Sequence, residues 1–273
     1  MEWLDSMNRA LEYLEGHMDG EVDVGEAAKL AYSSKFHFQR MFYMLCDTTV
    51  ADYVRSRRLT LAAQDLAIGD CRVLDVALKY GYETPESFAK AFRRFHGVSP
   101  SEAREPGVTL RSIPRLKFVV SVKGATNMDY RIMKKDPFRV IGRALRVSVN
   151  NGENYKEIPA FWDRCHHDGT VDVLCKMSDD GSTLGICAHF NFETNDFDYI
   201  VGAPCKEGAL PEGYMEMTIP AQTWAVFDAV GRLPHSIQSV TGKIFSEWFP
   251  ASAFEHADGP ELEVYPAEGM EDP

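Results

Sequence analysis

The sequence predicts a multidomain chain: an all-α double helix-turn-helix domain followed by an α+β domain with a pseudo-symmetric internal repeat. Three observations carry this. A helical stripe and a Phe-x-(Arg/Lys)-x-Phe motif each occur twice in the first hundred residues, at offsets of 49 and 50. Beyond residue 105 the pattern changes to short apolar strands alternating with helices. The length, 273 residues, suffices for two cores of about 100–150 residues each.

The elements follow in order. Leu4, Met7, Leu11, Leu14 and Met18 keep near-helical spacing, and Gly20 closes that segment. Val24, Ala27, Ala28 and Ala31 form the next stripe; Val73, Val76, Ala77 and Tyr80 repeat it. After each stripe come a short turn and a second helix, one carrying Phe38, Arg40 and Phe42, the other Phe88, Lys90 and Phe92. A long helix over 51–67 joins the copies, and small residues in each first helix permit close packing against the second. Pro106 and Gly107 end the helical region, so the domains are placed at 1–106 and 115–273 with a linker at 107–114. The second domain's sheet is expected to begin with Phe118 to Val122. Residues 130–147 and 216–231 each read as a hairpin, the first about Lys134 to Pro137 and the second about Pro220 and Ala221. At an offset of 86, Phe138 matches Trp224 and Val140 matches Val226, and each hairpin precedes a helix, at 158–169 and 233–249. The implied unit is strand–strand–helix, twice, with helices on one mostly antiparallel sheet.

Composition narrows the class. No apolar run approaches the roughly 18–20 residues of a membrane span, and the acidic, amphipathic start is unlike a secretory leader. Six cysteines without a C-x-x-C pair suit free thiols in a reduced, cytoplasmic setting. The net charge of −12 argues against nucleic acid until it is divided: −7 over residues 1–26, +4 over 27–104, −9 over 105–273. A basic island between acidic flanks is compatible with a phosphate-binding surface.

A recognition helix presents polar or cationic side chains to base edges while its other face stays in the core. In 33–45, Phe38, Phe42 and Leu45 form the apolar stripe, leaving Ser34, Lys35, Phe36, Gln39 and Arg40 as candidate DNA contacts. In 84–95, Phe88, Phe92 and Phe95 form the stripe, leaving Thr84, Glu86, Ser87, Lys90, Arg93 and Arg94. Ser34 and Thr84 stand where helix N-caps belong. Arg and Gln early in such a helix can read guanine and adenine bidentately, whereas Lys90, Arg93 and Arg94 suit phosphates. The plainer reading of any single one of these bases is a solvated surface charge. The doubled arrangement favours DNA.

The run VLDVALKYGYETPESFAKAFRRFHGVSPSEAR at 73–104 resembles the signature of AraC/XylS-type transcription regulators, and the first copy, through Tyr53, Arg55, Arg58 and Leu59, is similar to that family's other half. The resemblance covers about residues 5–105. It implies two helix-turn-helix units on a linking helix, reading successive major grooves of double-stranded promoter DNA, with RNA polymerase as a further partner. Two positions depart from the pattern: Tyr32 where the second copy has Gly81, and Asp47 where it has Gly97. Tyrosine tolerates left-handed backbone poorly, so the first turn's geometry is in question.

From about residue 115 the chain resembles the GyrI-like effector-binding domain, through YRIMKKDPFRVIGRALRVS, IPAFWDRC, PEGYMEMTIPAQTWAVFDAVGRLP, IFSEWFP and ELEVYP. The order, DNA-binding module first, is the Rob-like arrangement. The resemblance implies a pseudo-symmetric fold holding a small hydrophobic effector, with a pocket glutamate in the Glu-x-Tyr segment, here Glu263 and Tyr265. It also implies a further strand after ELEVYP, where this sequence has AEGMEDP, so that sheet edge is expected to be missing. Phe161, Trp162, Tyr199, Trp224 and Trp248 supply flat apolar faces, and a carboxylate among aromatics is costly to keep charged unless a cation pairs with it. The effector is therefore expected to be a small hydrophobic or cationic molecule. Core packing is the competing role for each aromatic, and an outward strand position for Glu263. Cys165-His166-His167-Asp168 does not suit a metal, since helical neighbours do not converge on one ion, and no cofactor motif is present. The reading is a non-enzymatic, one-component transcription regulator. Two alternatives stay open: a GyrI-like small-molecule hydrolase, with glutamate activating water, and a drug-sequestering protein fused to a DNA-binding domain.

Overall fold

The computed structural model describes residues 2–119, 128–149, 152–206 and 208–266. The chain divides into two compact units, residues 1–123 with 253–256, and residues 124–252 with 257–273. No described helix is long and apolar enough to cross a membrane.

The first unit holds α1 (Glu2–Gly16), α2 (Val24–Leu30), α3 (Lys35–Cys46), α4 (Val50–Ile68), α5 (Val73–Lys79), α6 (Pro85–His96) and a 3-10 turn (Glu102–Arg104). The repeated stripes become equivalent cores. Ala27 and Ala28 are buried with Phe38 and Phe42 in the first half, Val76 and Ala77 with Phe88 and Phe92 in the second. The small residues of α2 and α5 let α3 and α6 pack close. Ser34 Oγ accepts from the His37 amide at 3.1 Å and Thr84 Oγ1 from the Ser87 amide at 3.1 Å, so both caps form at equivalent places.

The two departures keep the turn geometry. Tyr32 and Asp47 both take φ of 52°, where Gly81 and Gly97 take 80° and 83°. The bonding matches as well: the Asp47 amide reaches Tyr43 O at 2.9 Å, as Gly97 reaches Arg93 O at 2.8 Å. Tyr32 is 78% exposed, and its ring meets the Arg9 guanidinium carbon at 5.5 Å; at Gly81 a Cβ would stand 2.9 Å from Arg58 Nη1. A side chain is therefore tolerated sterically at position 32 and crowded at position 81. Left-handed backbone costs a non-glycine residue about 1–2 kcal/mol. Asp47→Gly is accordingly expected to stabilise the first unit by about 1 kcal/mol after the added chain entropy is deducted. Urea denaturation would register it as a raised midpoint at unchanged slope; a lowered midpoint would mean the Asp47 side chain contributes more than its strain removes.

Residues 108–119 have no regular secondary structure and run along the first unit. Arg57 Nη1 donates to Ile113 O at 2.7 Å, the Leu116 amide to Tyr53 Oη at 3.0 Å, and Asn8 exchanges two 3.0 Å hydrogen bonds with the Phe118 backbone. The strand expected at Phe118 to Val122 is not formed by Phe118 and Val119, because Asn8 takes up the Phe118 backbone; residues 120–122 lie outside the described residues.

The second unit holds β1 (Tyr130–Lys135), β2 (Phe138–Ser148), α7 (Asn154–His167), α8 (Thr170–Met177), β3 (Thr183–Asn191), β4 (Asp196–Pro204), β5 (Met215–Ile219), β6 (Gln222–Phe227), α9 (His235–Lys243), a π-helical turn (Ile244–Trp248), α10 (Phe249–Ala251) and β7 (Glu261–Tyr265). The expected strands are present, but not as hairpins on one sheet. β1 pairs antiparallel with β6, and β2 with β5, in a two-stranded ribbon and a five-stranded sheet ordered β5-β2-β4-β3-β7. The offset of 86 brings β1 onto β5 and β2 onto β6, so each copy lends its first strand to the other's second. The two-residue connections after Lys135 and Ile219 therefore join strands of different sheets and do not close hairpins. On one face of the sheet Ile141, Tyr199, Val201 and Ala203 pack with Phe161, Cys165 and Leu174 of α7 and α8. On the other, Val140, Leu184, Ile186, Ile200 and Ile219 pack with Trp224. β7 is an edge strand on β3; the tail at 267–273 lies outside the described residues.

Candidate functional site

In the second unit the β7 register places Glu263 opposite Gly185 of β3, on the face that carries α7. Tyr199 Oη donates to Glu263 Oε2 at 2.7 Å and Tyr265 Oη to the same oxygen at 2.9 Å. Trp162 Nε1 donates to Tyr199 Oη at 2.8 Å, and the Trp162 and Tyr265 rings meet edge to face at 4.9 Å. Among the described residues no hydrogen bond reaches Oε1. Burial raises the Glu263 pKa and outweighs the two phenol hydrogen bonds that act to lower it, while the nearby Glu261 raises it further. Burial also holds Tyr199 far above the ordinary phenol value, with the Glu263 charge acting in the same direction. The phenols therefore remain donors. The arrangement is a carboxylate with one oxygen fixed and one available, walled by an indole and two phenol rings. It can hold a cation, or polarise a water.

Four of the seven residues expected at the pocket, Trp162, Tyr199, Glu263 and Tyr265, come together in this way. The other three do not. Phe161 is a core residue under α7, because its helical position points into the sheet rather than along it. Trp224 packs on the opposite face, where its indole N–H finds no acceptor among the described residues. Trp248 joins Tyr130 and Phe227, each at 5.1 Å between ring centroids. Sequence reasoning missed Gly185: a Cβ there would stand 2.3 Å from Tyr199 Oη and 2.5 Å from Glu263 Oε2. An isolated glycine in an apolar strand run was the available signal. Gly185→Ala is expected to part Tyr199 from Glu263 at about 1–3 kcal/mol in stability. Protection of the Tyr199 hydroxyl in NMR exchange checks this, and an unchanged network would mean that β3 shifts instead.

In the first unit, Thr84, Glu86, Ser87, Lys90, Arg93 and Arg94 are all exposed on α6, opposite the buried Phe88 and Phe92. On α3, Ser34 and Lys35 are exposed, and Phe36 and Gln39 half-buried. Arg40, expected on the open face, is only 7% exposed, with its guanidinium carbon 5.8 Å from the Tyr43 ring centre. The segment Ala253–His256, which belongs to the same compact unit, lies against the first turn of this helix. The His256 amide donates to His37 Nδ1 at 2.8 Å, its ring lies 5.3 Å from Phe36, and Glu255 Oε2 accepts from the Ser34 amide at 3.4 Å. Arg40 lies three and four residues past His37 and Phe36, on the same side of the helix. Among the described residues no group of three His, Cys, Asp or Glu side chains is placed to hold a metal ion. Asp168, from the Cys-His-His-Asp run, instead binds Arg143 and Thr170.

Comparison with known proteins places both units. Residues 131–273 match the integron-associated effector binding protein family, and residues 27–106 a helix-turn-helix domain family. The regulatory protein SoxS of Salmonella typhimurium is 34% identical over 94 residues, covering 34% of this chain and 88% of its own. The transcriptional activator AarP of Providencia stuartii is 33% identical over 95 residues, covering 35% of this chain and 70% of its own. A transcription regulation protein of Staphylococcus aureus is similar in structure over 54% of this chain and 91% of its own, at 20% identity and a TM-score of 0.47. The chain belongs to the AraC family of helix-turn-helix transcriptional regulators, its second domain a GyrI-like effector-binding domain of the integron-associated kind.

Proposed function

We propose that the effector is a lipophilic cation bound at Glu263, and that its binding alters how the first unit engages promoter DNA and, through it, RNA polymerase. One observation carries the ligand class: both phenol donors converge on Oε2, and among the described residues no hydrogen bond reaches Oε1. A partly desolvated carboxylate favours a cation over water, and each ring facing that cation adds about 0.5–2 kcal/mol. The effector can act on DNA binding only by its differential affinity for two states of the protein. Tryptophan fluorescence titrated with a tetraaryl cation and its neutral isostere tests the reading, because Trp162 lies in the site. Saturable quenching by the cation supports it; equal quenching by both, or none by either, overturns it.

The raised Glu263 pKa favours a second reading, in which the carboxylate takes a proton from water attacking a small electrophile. Product that forms from an epoxide and is lost in Glu263→Gln would establish hydrolysis. Binding without product would leave a sensor.

A further inference from the structure

We infer that Ala253–His256 is a built-in competitor for DNA, occupying the reading face of α3 so that α6 alone is open to the duplex. The chain carries its own control. α3 and α6 are both twelve-residue helices with a side-chain cap at the same place, and an offset of 50 superposes their motifs. Among the positions that α6 presents to solvent are Glu86, Ser87, Lys90 and Arg93. Their counterparts on α3 are Phe36, His37, Arg40 and Tyr43; of these Phe36 is half-buried, and the other three are 5%, 7% and 5% exposed. The core stripes of the two helices, by contrast, are equally buried, Phe38 and Phe42 like Phe88 and Phe92.

The contacts have the chemistry of a DNA substitute. A recognition helix meets DNA with its N-terminal residues, where free amides and the helix dipole favour a phosphate. Glu255 sets a carboxylate against the Ser34 amide there. His256 lays a flat ring beside Phe36 and donates its amide to His37 Nδ1. That bond needs a neutral imidazole accepting at Nδ1, and burial, with the nearby His256 adding to it, lowers the His37 pKa to about 4. The segment ends five residues before β7, the strand that carries Glu263, so movement of β7 would pull on it through the chain.

The inference depends on the DNA-binding role of the first unit and not on the effector's identity. Its test uses the full chain and a labelled duplex selected by the wild-type protein from a random-sequence pool. Glu255→Ala with His256→Gly is expected to tighten binding by about tenfold, the scale of one restored base contact. Arg40→Ala should weaken the double variant by about tenfold more than it weakens the wild type. Equal effects of Arg40→Ala in both backgrounds, or no change in the double variant, would overturn the inference. A second measurement needs no DNA: in NMR, the His37 ring should titrate near 4 in the wild type and return towards the ordinary histidine value in His256→Gly. An ordinary His37 value in the wild type would place the segment off the helix and likewise overturn it.

Discussion

Glu263→Gln is expected to weaken binding of a lipophilic cation by about 2–5 kcal/mol, the range for truncating one member of a buried, hydrogen-bonded charge pair. That is a loss of about thirtyfold or more, since 1.4 kcal/mol is tenfold. Glutamine keeps the volume and can still accept from Tyr199 and Tyr265, so the site should keep its shape. The neutral isostere should bind both proteins alike. Acid should reproduce the substitution. Burial raises the Glu263 pKa, and a cation selects the ionised form, so affinity falls as the pH drops through the raised value. Well below it the loss is about tenfold per pH unit. Isothermal titration at several pH values checks both arms. A cation affinity indifferent to Glu263→Gln and to pH would assign recognition to the rings alone.

That carboxylate was legible in the sequence because its signal is local. Glu263 stands between Leu262 and Val264, two residues before Tyr265 at the spacing that puts both on one face, and the resemblance to the GyrI-like domain marks the same Glu-x-Tyr segment. The caps Ser34 and Thr84 and the Phe38 and Phe88 stripes were legible for the same reason, helical periodicity being a property of neighbours. What the sequence hid depends on distant partners. The pattern in 130–147 fits a hairpin and the observed exchange with 215–227 equally well, since β1, exposed along its whole length, carries no local signal for its partner. Trp224 and Trp248 look like Trp162 in composition, and only tertiary packing separates them: Trp224 lies on the sheet's other face and Trp248 against Tyr130 and Phe227. Arg40 lies at an outward helical position and is nonetheless buried, on a helix whose first turn meets a segment more than two hundred residues away.

Glu15→Ala is expected to destabilise the first unit by about 3–5 kcal/mol, the scale for leaving a buried charge unpaired. Arg57 Nε and Nη2 donate to the two Glu15 oxygens at 2.8 and 2.7 Å, and Tyr53 Oη donates to Oε1 at 2.6 Å. The side chains are 11% and 8% exposed. By contrast Lys29 and Glu26, at 72% and 50%, form a surface pair that contributes about 0–1 kcal/mol. Burial tends to raise the Glu15 pKa, but the Arg57 guanidinium and Tyr53 hydroxyl together hold it below the ordinary value. A lowered carboxylate stabilises fully above its unfolded pKa, and that stability is lost as the pH falls through the folded one. Urea midpoints should therefore drop with acid in the wild type and less so in Glu15→Ala. The pair also anchors residues 113–118, through Arg57 to Ile113 O and Tyr53 to the Leu116 amide. If the network holds that segment, amide exchange at Ile113 and Leu116 should accelerate in Glu15→Ala beyond what the lost global stability explains. Glu15→Leu with Arg57→Met separates the two roles: it removes the unpaired charge and should recover most of the stability, while the Ile113 carbonyl stays without its donor. Recovery of stability with Leu116 still exchanging quickly would assign the ion pair to holding the segment; slow exchange in that variant would assign it to the helices alone.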